Sequence, residues 1–178
     1  MSGAGEADQG RELHLELPAA HSAVREARQA VRRFASSGGI RGRELETVVL
    51  VASELLSNAV DHGGGCSAME APDAPEVPDV PGAPETAEGA SPAGCARMSI
   101  RLSLREGGWE MRVSDQGGGD PGVLEALLRG SGEAPDLADE RGRGLFLLTS
   151  LVDEVRVQRS ADGLGLSLIA VREHARGR

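Results

Sequence analysis

Apolar residues along this chain recur with two different periods, and the switches between them lay out its elements. Leu13, Leu15 and Leu17 alternate with polar residues, which predicts a strand over 11–17 closed by Pro18. From Ala20 to Ser36 the spacing lengthens to three or four, with Val24, Ala27, Val31 and Phe34 on one face and Arg25, Glu26, Arg28, Arg32 and Arg33 on the others. That is an amphipathic helix, stopped by Gly38 and Gly39. A second helix is predicted from about Arg43 to His62, its stripe formed by Leu45, Val48, Val49, Ala52, Leu56 and Ala59. Period two returns with Met98, Ile100, Leu102 and Leu104, a Gly107-Gly108 turn, and then Trp109, Met111 and Val113, which together predict a hairpin. A short helix over Val123–Leu128 and a nearly all-apolar helix over Gly142–Val152 follow. Val155 with Val157, and Leu164 with Leu166 and Leu168, give two last strands joined at Asp162-Gly163. The order β-α-α-β-β-α-α-β-β predicts an α+β, two-layer sandwich with helices on one face of a mixed, mostly antiparallel sheet.

Composition interrupts this pattern twice. Residues 1–10 are small and polar and read as a disordered tail, and 173–178 are read as a tail at the other end. Residues 64–97 hold six of the nine prolines and six acids against one arginine, so they supply −5 of the net charge of −9. They read as a disordered acidic insertion within a single domain over 11–172. Doubling a flexible loop costs only ~0.6 kcal/mol, so the domain tolerates it. A sequence pI near 5.0 argues against direct contact with nucleic acid. All 19 residues counted as Lys or Arg are arginine, so an anionic ligand must be held by Arg, backbone N–H groups or a metal ion, and a P-loop lysine is excluded. The sequence shows neither a signal-peptide core nor an apolar run of the ~20 residues a membrane span needs, so a cytoplasmic protein is expected. Cys66 and Cys95 form no metal-ligand spacing.

Three short segments hold candidate chemistry. In ELLSNAVDHG, Glu54 and Asn58 lie four residues apart on the second helix, with Asp61 and His62 on neighbouring turns. Such a pair is either a solvated helix edge or a site for a hydrated magnesium ion. Asp115-Gln-Gly-Gly-Gly119 breaks the second hairpin strand. It is either a surface turn or a place where an aspartate meets an exocyclic amine and glycines admit a planar base. Gly142-Arg-Gly144-Leu opens a helix and is either a flexible helix entry or a place whose exposed N–H groups suit phosphates. Arg141 and Arg143 flank those glycines.

In this order the three segments resemble the N, G1 and G2 boxes of the GHKL ATPase and kinase superfamily. The first strand, the arginine-rich first helix and the wording ELLSNAVDHG look most like the anti-sigma-factor serine/threonine kinases. The resemblance implies a Bergerat-type ATP-binding fold with ATP and Mg2+ as cofactors. It makes Glu54 the catalytic base and Asn58 the magnesium ligand, and it places the adenine amine on Asp115 with Gly117 and Gly119 beside the base. Arg141, Gly142, Arg143, Gly144 and Leu145 would meet the nucleotide, with a lid between about Asp120 and Arg141. The implied partners are an anti-sigma-antagonist protein and a sigma factor, and a homodimer is implied as well. Two alternatives stand beside the kinase: a nucleotide-dependent binding module without phosphate transfer, and the catalytic half of a histidine kinase. The family often carries a threonine near the last strand, where this chain offers only Ser167 as a substitute.

Overall fold

The computed structural model describes residues 10–63, 96–130 and 140–173. The predicted N-terminal tail, the acidic insertion up to Cys95, lid residues 131–139 and residues 174–178 lie outside them. The element order is that predicted: β1 (Arg11–Pro18), α1 (His21–Ser37), α2 (Gly42–His62), β2 (Arg97–Arg105), β3 (Gly108–Ser114), α3 (Pro121–Gly130), α4 (Glu140–Leu151), β4 (Glu154–Arg159) and β5 (Leu166–Glu173). Strand β2 starts at Arg97, assigned from composition to the insertion. Helix α3 is longer than the Val123–Leu128 stripe, because Asp120 and Pro121 start it. The Asp120 carboxylate accepts the Gly122 N–H at 2.9 Å, and proline at the first helical position has no N–H to leave unpaired.

The sheet runs β1-β2-β3-β5-β4, and all four pairings are antiparallel. Register places Leu15, Ile100, Val113, Leu168 and Val157 in one row across all five strands, and Leu13, Leu102, Met111, Ala170 and Val155 in the next. These rows form the face that packs with Val31 of α1, Leu55 and Leu56 of α2, and Leu148 of α4 in one core. Each fully buried Leu, Ile or Val among them contributes about 1.5–3 kcal/mol by leaving water. The opposite face carries His14, Arg101, Arg112 and Arg156 in one row, with Glu12, Glu110 and Glu154 in the next. The arginines pair with those glutamates, as in Arg156 to Glu154 at 3.1 Å, and these charged side chains cover Ile169, which is buried in the same row. The helices therefore cover one face of the sheet, as the alternation requires. No helix of the described residues is long and apolar enough to cross a membrane.

Candidate functional site

Asp115, the first residue after β3, is buried, with 8% of its surface exposed. Its Oδ1 accepts the backbone N–H groups of Gly117 at 2.9 Å and Leu166 at 3.3 Å, and its own N–H donates to the Leu166 carbonyl at 3.0 Å. Oδ2 accepts no hydrogen bond among the described residues, which leaves it for a ligand donor. Burial pushes the Asp115 carboxyl up from the ordinary aspartate range, against the pull of its two amide donors. Two glycines let the backbone close in around it. A Cβ on Gly165 would lie 2.6 Å from the Asp115 carbonyl carbon and closer still to its carbonyl oxygen and Oδ1. One on Gly63, at the end of α2, would lie 2.6 Å from the Asp115 Cβ.

Asp115 opens into a cavity of about 400 Å³, within the ~300–1,000 Å³ usual for small-molecule sites. Its polar wall is Asn58, His62, Asp115 and Asp120, with the backbone of Gly118 and Gly119 between them. Leu145, Leu166 and Leu168 line the core side, and Val123, Leu124 and Leu127 come from α3. Such a chamber, apolar on most sides with the buried Asp115 carboxylate in its wall, suits a planar heterocycle bearing a hydrogen-bond donor. Gly117 lies outside the lining and contributes an N–H to Asp115, whereas Gly119, with φ of 92°, stands in the wall. A larger open cleft of about 630 Å³ lies at the other end of β3, among Arg105, Glu110, Asp153 and Arg172, far from every motif above.

Beside the cavity, Glu54 and Asn58 occupy successive turns of α2 and are half-buried. A Cβ on Gly144 would stand 3.2 Å from Glu54 Oε2 and 3.9 Å from Asn58 Oδ1, so both oxygens face the start of α4 and a side chain there would crowd Glu54. Burial pushes the Glu54 carboxyl up from the ordinary glutamate range. Among the described residues no three of His, Cys, Asp and Glu gather as a metal cage. The single amide oxygen of Asn58 fits magnesium, an ion that keeps several waters and needs few protein oxygens, and leaves the Glu54 carboxylate free to act as a base.

The structure thus brings Glu54, Asn58, Asp115, Gly119, Gly144 and Leu145 to one locality. Arg141, Gly142 and Arg143 lie in the first turn of α4. Asp61 turns away to His21, 3.3 Å distant. Ser167 is buried on the helix-free side, where its Oγ is 2.6 Å from Ser114 Oγ. Strand alternation gives its neighbours Leu166 and Leu168 to the cavity, so Ser167 is no substitute for the threonine of related chains. Leu164, predicted within the last strand, is exposed in the preceding turn.

No curated protein sequence matches this chain at a significant level. In fold the chain is similar to a crystal structure of the RsbU and RsbW domains of Rv1364c from Mycobacterium tuberculosis, with a TM-score of 0.53 and 19% identity. The match covers 94% of this chain and 33% of that one, so this chain spans about a third of its length. It is also similar to the SiaB-SiaC complex from Pseudomonas aeruginosa, with a TM-score of 0.57, 17% identity, and coverage of 89% of this chain and 88% of that one. The profile described as histidine kinase-like ATPase domain matches residues 17–76 and 82–170, a span that takes in all three glycine-associated segments and most of the chain. The chain belongs to the histidine kinase-like ATPase domain family.

Proposed function

We propose that the chain is an ATP-dependent serine/threonine protein kinase of the anti-sigma-factor type. It phosphorylates an anti-sigma-antagonist protein and, while that partner is absent, sequesters a sigma factor. Membership of an ATPase family makes ATP the nucleotide. The observation that carries the kinase reading is the placement of Glu54 Oε2 beside Asn58 Oδ1 and Gly144, next to the cavity that Asn58 shares with Asp115. Burial raises the Glu54 carboxyl toward the range of a working base. A serine or threonine hydroxyl of the partner attacks the γ-phosphorus, the bond to the β–γ bridging oxygen breaks, ADP leaves, and Glu54 accepts the hydroxyl proton. Asp115 accepts a hydrogen bond from the adenine amine, Gly117 and Gly119 admit the base, and Leu145 forms part of its apolar wall. The first turn of α4, with Arg141, Gly142, Arg143 and Gly144, meets the phosphates. Asn58 would hold a magnesium ion, whose chemistry is to neutralise phosphate charge.

The wording ELLSNAVDHG supports the anti-sigma assignment, and one fold neighbour comes from a two-protein complex, which supports a role in binding another protein. A cytoplasmic homodimer belongs to the same reading. The test is incubation with γ-labelled ATP, magnesium and a candidate antagonist. The reading expects phosphoserine or phosphothreonine on the antagonist and loss of transfer in Glu54→Ala. Nucleotide and partner binding without transfer would favour a binding module instead.

A further inference from the structure

The turn between β4 and β5 contains a chain of hydrogen bonds that ends at Asp115. Asp162 Oδ1 accepts the Ser160 hydroxyl at 2.6 Å and the Leu164 N–H at 3.0 Å. Ser160 is 5% exposed. With its proton directed to Asp162, its Oγ accepts the Gly165 N–H at 2.8 Å, while its own N–H donates to the Gly165 carbonyl at 3.0 Å. One serine therefore holds both polar groups of the glycine that touches Asp115. The next residue, Leu166, exchanges hydrogen bonds with Asp115. From the other direction Gln116, which follows Asp115 in the chain, donates Nε2–H to Asp162 Oδ2 at 2.9 Å and accepts the Arg97 N–H at 3.0 Å. A single carboxylate thus ties together the residues that precede Leu166 and the residue that follows Asp115.

We propose that Ser160, Asp162 and Gln116 are positioning residues that orient the Asp115 carboxylate and so set purine specificity without touching the nucleotide. The proposal rests on the reading of Asp115 as the contact to the base. A carboxylate tells an amine, which donates, from the ring carbonyl of hypoxanthine, which cannot, only when its oxygen is held in place. None of the three residues lines the cavity, so their effect must pass through Asp115. The Ser160 hydroxyl, then Gln116 and the Leu164 N–H, hold the Asp162 carboxyl down to about 2, which keeps it an acceptor throughout the neutral range.

Titration calorimetry with ADP and with inosine diphosphate tests this on wild type, Asp162→Ala, Asp162→Asn, Asp115→Asn and the Asp162→Ala/Asp115→Asn double variant. Wild type should prefer ADP by roughly 10- to 100-fold, the range for a hydrogen bond to a charged group. Asp162→Ala should lose most of that preference. Asp162→Asn, which keeps the Oδ1 acceptor, should restore part of it, and the double variant should match Asp115→Asn alone. Should Asp162→Ala fail to fold, Gln116→Ala serves the same comparison. An undiminished preference in a folded Asp162→Ala or Gln116→Ala variant overturns the positioning role and leaves the Asp115 reading standing. Equal binding of both nucleotides by wild type overturns the Asp115 reading and this proposal with it.

Discussion

Replacing Gly165 with alanine adds one carbon where there is no room for it. The residue does not occupy the left-handed region, so alanine meets no backbone penalty and the effect is purely one of space. The new Cβ would stand 2.6 Å from the Asp115 carbonyl carbon, and real Cβ atoms essentially never approach a heavy atom within 3.0 Å. Asp115 must therefore retreat by at least about 0.4 Å at that carbon, and by more at its two nearer oxygens, on the scale at which overpacking costs ~1–3 kcal/mol. Two of the three atoms struck are backbone, so no rotamer change relieves the contact. The retreat also displaces the carboxylate, and misplacement by ~1 Å can cost about 10²-fold in function. Urea unfolding should show a loss of about 1–3 kcal/mol, and calorimetry should show ADP affinity falling at least about tenfold. Gly122→Ala is the control: its nearest neighbour is Asp120 Oδ1 at 3.4 Å, and alanine within α3 should stabilise by about 0.5–1 kcal/mol. Wild-type stability and ADP affinity in Gly165→Ala would refute the claim that this glycine fixes Asp115.

Three further outcomes follow from the geometry. Because burial raises the Glu54 carboxyl and the base must be ionised, the acid limb of the transfer rate should lie above the ordinary glutamate value of ~4.3, with the rate rising as pH rises through it. A pH–rate profile with its limb at or below that value would contradict the assignment. Glu44→Ala removes the acceptor of the buried Trp109 indole N–H, 2.7 Å away, and should cost about 1–3 kcal/mol in urea unfolding. Nucleotide affinity should not change, because the pair lies at the far end of β3. Ser167→Ala should lower stability by about 1 kcal/mol through loss of its partner Ser114, with ADP affinity held within about twofold. A tenfold loss of affinity would place Ser167 on the nucleotide side of the sheet.

The sheet was legible because its strands carry one apolar face: Leu13, Ile100 and Val113 alternate in sequence and share that face in space. The motif residues were legible because short spacings on one element fix relative positions, as for Glu54 and Asn58 on α2. What stayed hidden depends on contacts between distant segments. Gln116 and Asp162 are 46 residues apart and each reads alone as an ordinary turn residue, so nothing local announces their hydrogen bond. Gly63 reads as a helix stop, and only the fold sets it against Asp115. Leu166 and Leu168 read as plain core positions because an apolar wall of a base cavity uses the same residues as a core. Leu164 was misplaced because the alternation extends one step past the true start of β5, into a turn that Asp162 organises through the Leu164 N–H. The start of α3 was announced by Asp120-Pro121, a signal that the narrower apolar stripe obscured.

The central claim is that Asp115 receives the base of ATP in the cavity between α2, α3 and β5. Calorimetric titration of ATP with magnesium into wild type and Asp115→Asn tests it most directly. The account predicts one ATP per chain for wild type and a loss of affinity of roughly tenfold or more in the variant, the range for a hydrogen bond to a charged group. Equal affinity in the two proteins, with both folded, would contradict it.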